Sequence, residues 1–543
     1  MRQTTPALVG AAMLAAGILA PAAPLLAQHQ HPAGTDVVGA VSFPTSCAPA
    51  LAPRMDRAVA LLHSFWFDAA NRAFEEIAAA DSSCAMAHWG IAMTAWGNPF
   101  VRQPIPPAQQ AVGLAAAERA HALVEGASHR ERMYVDAALA LWQGADSLDH
   151  LARLARHEAA LAALAAAHPE DPETSVFHAR ALIASSPPTD LTFAGQLRAA
   201  ALLEPLFTSQ PQHPGLAHYL IHAFDAPPLA AQGLAAAQRY AEIAPAAPHA
   251  LHMPSHIFTR LGYWDESIAT NQRSAAAEPD SNAAVHPNDY LVYAYLQQGR
   301  DAEARRVVER TKAASDRFYG AILGFNAVAM PARLALERSD WPAAASVAVP
   351  MNAAPYVEAL ARFTRAVGAA RSAHLDAARA DVAALQQLRD TLSARGDSYW
   401  ATITDAQRLA ASAWIAQAEG DSTEALRLAR EGAALEETVE KHPVTPGPLL
   451  PARELEADLL MELGRAADAQ RAYEATLARE PRRARALHGA AAAAARAGDR
   501  DAATRHYSAL LSLMDRADAS RPEPREAREY LGRATGDGLE RRR

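Results

Sequence analysis

Residues 462–481 read ELGRAADAQRAYEATLAREP, and residues 496–513 read RAGDRDAATRHYSALLSL. Gly464, Ala469 and Tyr473 of the first stretch return as Gly498, Ala503 and Tyr507 of the second, each 34 residues further on. A period of that length holds two short helices and the turn between them. Glycine accepts the tight turn, alanine lets helix backbones approach, and an aromatic residue at helical spacing fills the seam. One helix pair cannot bury its apolar face alone, so neighbouring pairs must stack. The same turn is marked by Gly262 in RLGYWDES, Gly299 in QQGRDAEA and Gly420 in AEGDSTEA. Pro245 and Pro279, again 34 apart, close two successive units. The spacing predicts roughly ten to twelve helix pairs between about residues 50 and 515.

Composition agrees with that pattern. At 543 residues the chain is too long for one compact core. Half of it is apolar, only 6% is aromatic, and alanine is everywhere, which suits closely packed helices. The net charge of −9 is mild, with Lys/Arg interspersed among Asp/Glu. No basic stripe is visible, so nucleic acid is not an expected partner. Lysine occurs only at Lys312 and Lys441.

The first 27 residues read as an export signal. Arg2 precedes the uncharged run ALVGAAMLAAGILA, which is too short to span a bilayer and ends in small residues near Ala27. No later stretch reads as a membrane span, so a soluble periplasmic or secreted protein is expected. In such a compartment Cys47 and Cys84 are expected to form a disulfide, the alternative being two buried thiols. The expected organisation is a signal peptide (1–27), a disordered N-terminal arm (28–49), a first repeat array (50–345), a second array (346–515), and a capping helix with a charged tail (516–543).

Four stretches carry a family resemblance: ALLHSFWFDAANRAF (60–74), CAMAHWGIAM (84–93), the run from HYLIHAFDAPP to IATNQRS (218–274), and EKHPVTPGPLLPAREL (440–455). With the 34-residue units, they resemble tetratricopeptide repeats, and in particular a group of bacterial exported tetratricopeptide-repeat proteins, over most of residues 40–515. In HPNDYLVYAYLQ, Pro287 and Asn288 depart from the Ala-Leu expected there. The resemblance implies an all-α, right-handed superhelical solenoid of tetratricopeptide-type helix pairs. It carries no activity with it.

Histidines recur at the repeat interval. His218 and His222 stand 34 residues before His252 and His256, and His252 stands 34 before His286. His218/His222 and His252/His256 are i,i+4 pairs, and His249/His252 is an i,i+3 pair, so each pair shares a helix face. The resemblance implies that these first-helix positions line a concave groove. The expected patch comprises His218, His222, His249, His252, His256, Arg260, His286 and Asp289. Three readings compete. A metal reading takes His218, His222, His252, His256, His286 and Asp289 as ligands of Zn or Cu, with Met253 nearby. A second reading is a groove for an anionic ligand, with His and Arg260 as donors. The third is packing alone. Pro254 complicates the geometry, because a helix beginning near Met253 leaves His249 and His252 on an entering loop.

Elsewhere, His63 and His88 read as core residues, His178 as an extension of the column, and His29 and His31 as members of the arm. Asp225 is placed to join the patch or to cap a turn. EKHPVTPGPLLP reads as a stiff spacer between helix pairs. No Gly-x-Ser-x-Gly, phosphate loop or His-Glu-x-x-His is present. The sequence therefore points to a non-enzymatic scaffold that binds a protein, peptide or small ligand in its groove. The alternative is a metal-dependent enzyme or metal-handling protein built on the same histidines.

Overall fold

The computed structural model describes residues 37–101, 104–278, 284–315 and 322–540. The expected signal peptide, His29, His31, Pro279 and residues 541–543 lie outside these. Among the described residues there is no strand. Successive helices pack on their sequence neighbours to form an all-helical solenoid of tetratricopeptide-type pairs. None of these helices is long and apolar enough to cross a membrane.

Local sequence sets the hairpins. In Gly396-Asp397, Gly420-Asp421 and Gly498-Asp499 the glycine has φ of 75°, 87° and 84°, ending one helix in the left-handed conformation. The following aspartate caps the next helix: Asp421 accepts from the Glu424 amide at 3.0 Å, and Asp499 from the Ala502 amide at 3.0 Å. Alanines such as Ala469, Ala490 and Ala503 are fully buried in the seams.

Seven helices position the site: α1 (Ala52–His63), α2 (Pro214–Phe224), α3 (Pro248–His252), α4 (Pro254–Leu261), α5 (Trp264–Ala277), α6 (Val285–Gln297) and α7 (Ile322–Glu337).

Three features differ from the sequence expectation. Residues 37–49 are not a disordered arm. Phe43 is buried and stacks on Trp89 at 5.3 Å, and the Ala40 amide donates to the Gln212 carbonyl. Phe43 gains a large apolar burial there that a free arm would forgo. Cys47 of this segment is disulfide-bonded to Cys84.

Second, residues 345 and 346 mark no boundary. Phe325 and Ala344 share one core with Val357, Trp400 and Leu455. The C-terminal repeats also fold back on the middle of the chain. Trp264, Leu291 and Leu296 share a core with Leu487, Tyr507 and Leu510, and Trp264 Nε1 donates to the Arg482 carbonyl at 3.1 Å. Gly262, with φ of 68°, sits so close to this layer that a Cβ there would lie 2.5 Å from the Pro481 carbonyl oxygen. The last helix, Glu523–Glu540, caps the stack by burying Ala527 and packing Tyr530 on Tyr507.

Third, residues 440–451 are a wall and not a spacer. Val444, Leu449 and Leu450 are buried. Arg333 of α7 donates to the carbonyls of Gly447 and Pro448 at 2.7 and 2.8 Å and to Thr445 Oγ1 at 2.6 Å. Asn326 donates to the Val444 carbonyl at 2.7 Å. Four prolines leave the segment few amides to satisfy, and the two α7 side chains take up its carbonyls, so it can run buried against α7. Pro443 and Val444 of this segment line the cavity beside the histidines.

Candidate metal centre

Six imidazoles come together where α2, α3, α4 and α6 meet. Their ring centroids form a continuous set: His218–His222 and His218–His249 at 4.9 Å, His252–His256 at 5.0 Å and His252–His286 at 4.5 Å. His222–His256 and His249–His252, at 5.8 and 6.2 Å, link the two halves. Ligating nitrogens fall into two trios, His218/His222/His249 and His252/His256/His286. Within each trio the atoms lie within 4.8 Å of one another.

Pro254 does not separate His252 from His256. It occupies the first turn of α4, where its missing N–H costs nothing. Met253 between the two helices keeps right-handed helical dihedrals of −53° and −36°. The i,i+4 relation therefore survives, and the two Nε2 atoms face each other at 3.1 Å.

Hydrogen bonds at the far nitrogens define what these atoms are. His252 Nδ1 lies 2.6 Å from Asn271 Oδ1 on α5. The Asn271 amide nitrogen donates to the Ser267 carbonyl at 2.7 Å, so Oδ1 must accept and His252 Nδ1 must carry the proton. His256 Nδ1 donates to Asp225 Oδ2 at 2.8 Å. With both rings neutral, each Nε2 presents a lone pair to the other, and the Tyr290 hydroxyl lies 3.4 Å from His256 Nε2. The third member, His286, is only partly buried, and its enclosed Nδ1 makes no close hydrogen bond, with the Asn326 side chain as its neighbour.

In the other trio the tautomer is fixed at His218. Helix α1 ends at His63, whose carbonyl has no intrahelical partner. His218 Nδ1 donates to that carbonyl at 2.6 Å, leaving its Nε2 lone pair 3.1 Å from His249 Nε2. His222 Nε2 is buried without a hydrogen-bond partner. Burial and the neighbouring imidazoles push the pKa values of His218, His222, His249, His252 and His286 well below the ordinary value, and burial lowers that of His256.

Asp225 is the carboxylate of the site. Besides His256, it accepts from Arg260 Nε at 2.9 Å and from Lys441 Nζ at 2.9 Å. Burial pushes its carboxyl up, but Lys441, Arg260 and His256 outweigh burial and hold it well below the usual range. Arg260 also donates to Glu440 at 2.5 Å. Arg260 is therefore spent within the protein and is no free donor for an anionic ligand. Asp289 is likewise not a ligand: its carboxylate pairs with Arg333 at 2.9 Å and accepts from Asn326 at 3.1 Å. His286 reaches the patch from the start of α6, whereas Asp289 is held on α7 by Arg333 and Asn326. His178 also stands apart, on Glu158 at 2.9 Å.

A third cluster, His63, Glu173 and His213, has metal-like spacing but a different hydrogen-bond pattern. His213 Nδ1 accepts from the Leu216 amide, so its Nε2 proton goes to Glu173 at 2.6 Å. His63 Nε2 lies 3.0 Å from Glu173, and its Nδ1 lies 2.9 Å from the Tyr219 hydroxyl. Every ring nitrogen has a partner of opposite character, and no lone pairs confront each other. This is a satisfied structural network, which fixes the His63 carbonyl under His218.

Beside five of the six histidines, all but His218, lies a cavity of about 310 Å³, walled by Phe65, Trp66, Met253, Pro443 and Val444. Sequence reasoning missed Asn271, the His63 carbonyl, Lys441 and the wall. Asp225 alone had a signal, its position three residues after His222.

No family model matches the chain, and no curated protein matches it. Among solved structures it is similar to the human IFIT1 dimer with PPP-AAAA, at 12% identity and a TM-score of 0.40, covering 79% of this chain and 90% of that one. A monomeric IFIT1 mutant with Gppp-AAAA gives 12% identity and a TM-score of 0.37, covering 78% of this chain and 90% of that one.

Proposed function

We propose that this chain is an exported metal-binding scaffold that holds a divalent transition ion of the Zn or Cu class between His252, His256 and His286. The observation that carries this reading is the 3.1 Å approach of two Nε2 lone pairs whose far nitrogens are both committed to acceptors. Facing lone pairs repel unless a cation lies between them. Two imidazole nitrogens at about 2.0–2.1 Å from one tetrahedral ion stand roughly 3.3 Å apart. Asn271 and Asp225 are the kind of outer partners that orient metal-binding imidazoles. Imidazole without thiolate suits Zn, Cu or Ni over Mg or Ca. Export is supported by the signal-like first 27 residues and by the Cys47–Cys84 disulfide.

A metal-dependent reaction is the second reading. Three protein ligands facing a cavity match a catalytic coordination better than a closed structural one. The room beside them suits a small molecule and not a folded partner.

The test is elemental analysis of untagged protein after dialysis against Zn or Cu and removal of loose ions. The expected result is tightly held metal in the wild type and its loss at this trio in a His252→Ala/His256→Ala variant. Wild-type protein that retains no ion would overturn the reading.

A further inference from the structure

We infer that the cavity holds two metal ions, the second bound by His218, His222 and His249. This extends the proposed first site and stands on separate atoms. His218 presents its Nε2 lone pair because its Nδ1 proton is taken by the His63 carbonyl at 2.6 Å. His249 Nε2 faces it at 3.1 Å. His222 Nε2, buried and without a hydrogen-bond partner, completes the trio. An unpaired buried ring nitrogen costs free energy unless something binds it. Crowding excludes the alternative of protonating all three, since like charges at this spacing repel strongly in a dry interior.

The two trios are not separate pockets. His222 packs on His256 and His249 on His252, so ions in the two trios lie side by side. His222, His249, His252, His256 and His286 all line the one cavity. Two ions held in one cavity would be placed to act on the same small ligand. The ligand class this implies is a small anion or a water-derived hydroxide that bridges both ions. The His63–Glu173–His213 network is the support for the second trio: it anchors the carbonyl that sets the His218 tautomer.

The experiment is equilibrium dialysis of the whole untagged protein with Co(II), read by metal content and by the visible absorption of bound cobalt. Two ions per chain are expected in the wild type. One is expected in His222→Ala/His249→Ala and one in His252→Ala/His286→Ala. His249→Gln, at a partly exposed position, reads the same loss should the buried double variant fail to fold, with circular dichroism as the check. A wild type that holds one ion, unchanged by either variant at His249, overturns the second site and leaves the first intact. A wild type that holds none overturns both.

Discussion

His252 and His256 direct their Nε2 atoms at each other across 3.1 Å, while Asn271 and Asp225 hold the opposite nitrogens at 2.6 and 2.8 Å. The outer pair fixes the tautomers, and the tautomers make the inner pair a cation site. Asn271→Leu removes one of these acceptors without removing a ligand. Metal affinity should fall about 10–100-fold, measured by competition with a chelator, while the helical circular dichroism spectrum is retained. An unchanged affinity would show that the imidazole orientation does not depend on Asn271.

Arg333 joins α7 to the wall and pairs with Asp289, both side chains being fully buried. Arg333→Met leaves the Asp289 charge without its cation, with Asn326 as its remaining donor, and leaves the Pro448 carbonyl without a donor. The cost should be about 3–5 kcal/mol in denaturant unfolding. Combining it with Asp289→Asn should recover part of that loss. Equal destabilisation in the single and double variants would place the damage elsewhere.

Glu436 lies at the base of the wall, and burial pushes its pKa up from 4.5 to about 7. A carboxyl that holds its proton more tightly when folded supplies stability below pH 4.5, and that stability is lost as pH rises from 4.5 through 7. Glu436→Gln keeps an acceptor for the Ala452 amide, which the native carboxylate receives at 2.8 Å. The variant should be more stable than the wild type at pH 8 by about 1–2 kcal/mol, allowing for solvent at its rim. At pH 4 the two should melt together. A gain at pH 4 and none at pH 8 would reverse the assigned sign.

The Cys47–Cys84 disulfide ties the N-terminal segment to the repeats across a separation of 37 residues. Loop closure of that length contributes roughly 4 kcal/mol. The Cys47→Ser/Cys84→Ser double variant should therefore unfold at markedly lower denaturant. Reducing agent should do the same to the wild type and leave the variant unchanged.

Much of the fold was legible because a 34-residue repeat states its own architecture. Gly464 and Gly498, Ala469 and Ala503, and Tyr473 and Tyr507 each specify a turn or a seam locally. The histidine column was legible for the same reason, since residues repeated at the period return to the same face. What periodicity could not convey was contact between distant repeats. Asp289 has the right register, yet it is drawn off by Arg333, 44 residues away. Arg260 is taken by Glu440, 180 residues away. The wall at 440–451 has no period at all, and its burial depends on donors from α7. The order of residues 37–49 gave no periodic signal, because it rests on single contacts such as Phe43 on Trp89.

The most direct measurement is X-ray absorption at the metal edge of Zn-loaded, untagged protein. The account predicts a first shell dominated by imidazole nitrogen at about 2.0–2.1 Å, with outer-shell scattering from the rings. That signal should be diminished in His252→Ala/His256→Ala. A shell of oxygen alone, identical in the wild type and the variant, would contradict the account and return the six histidines to packing.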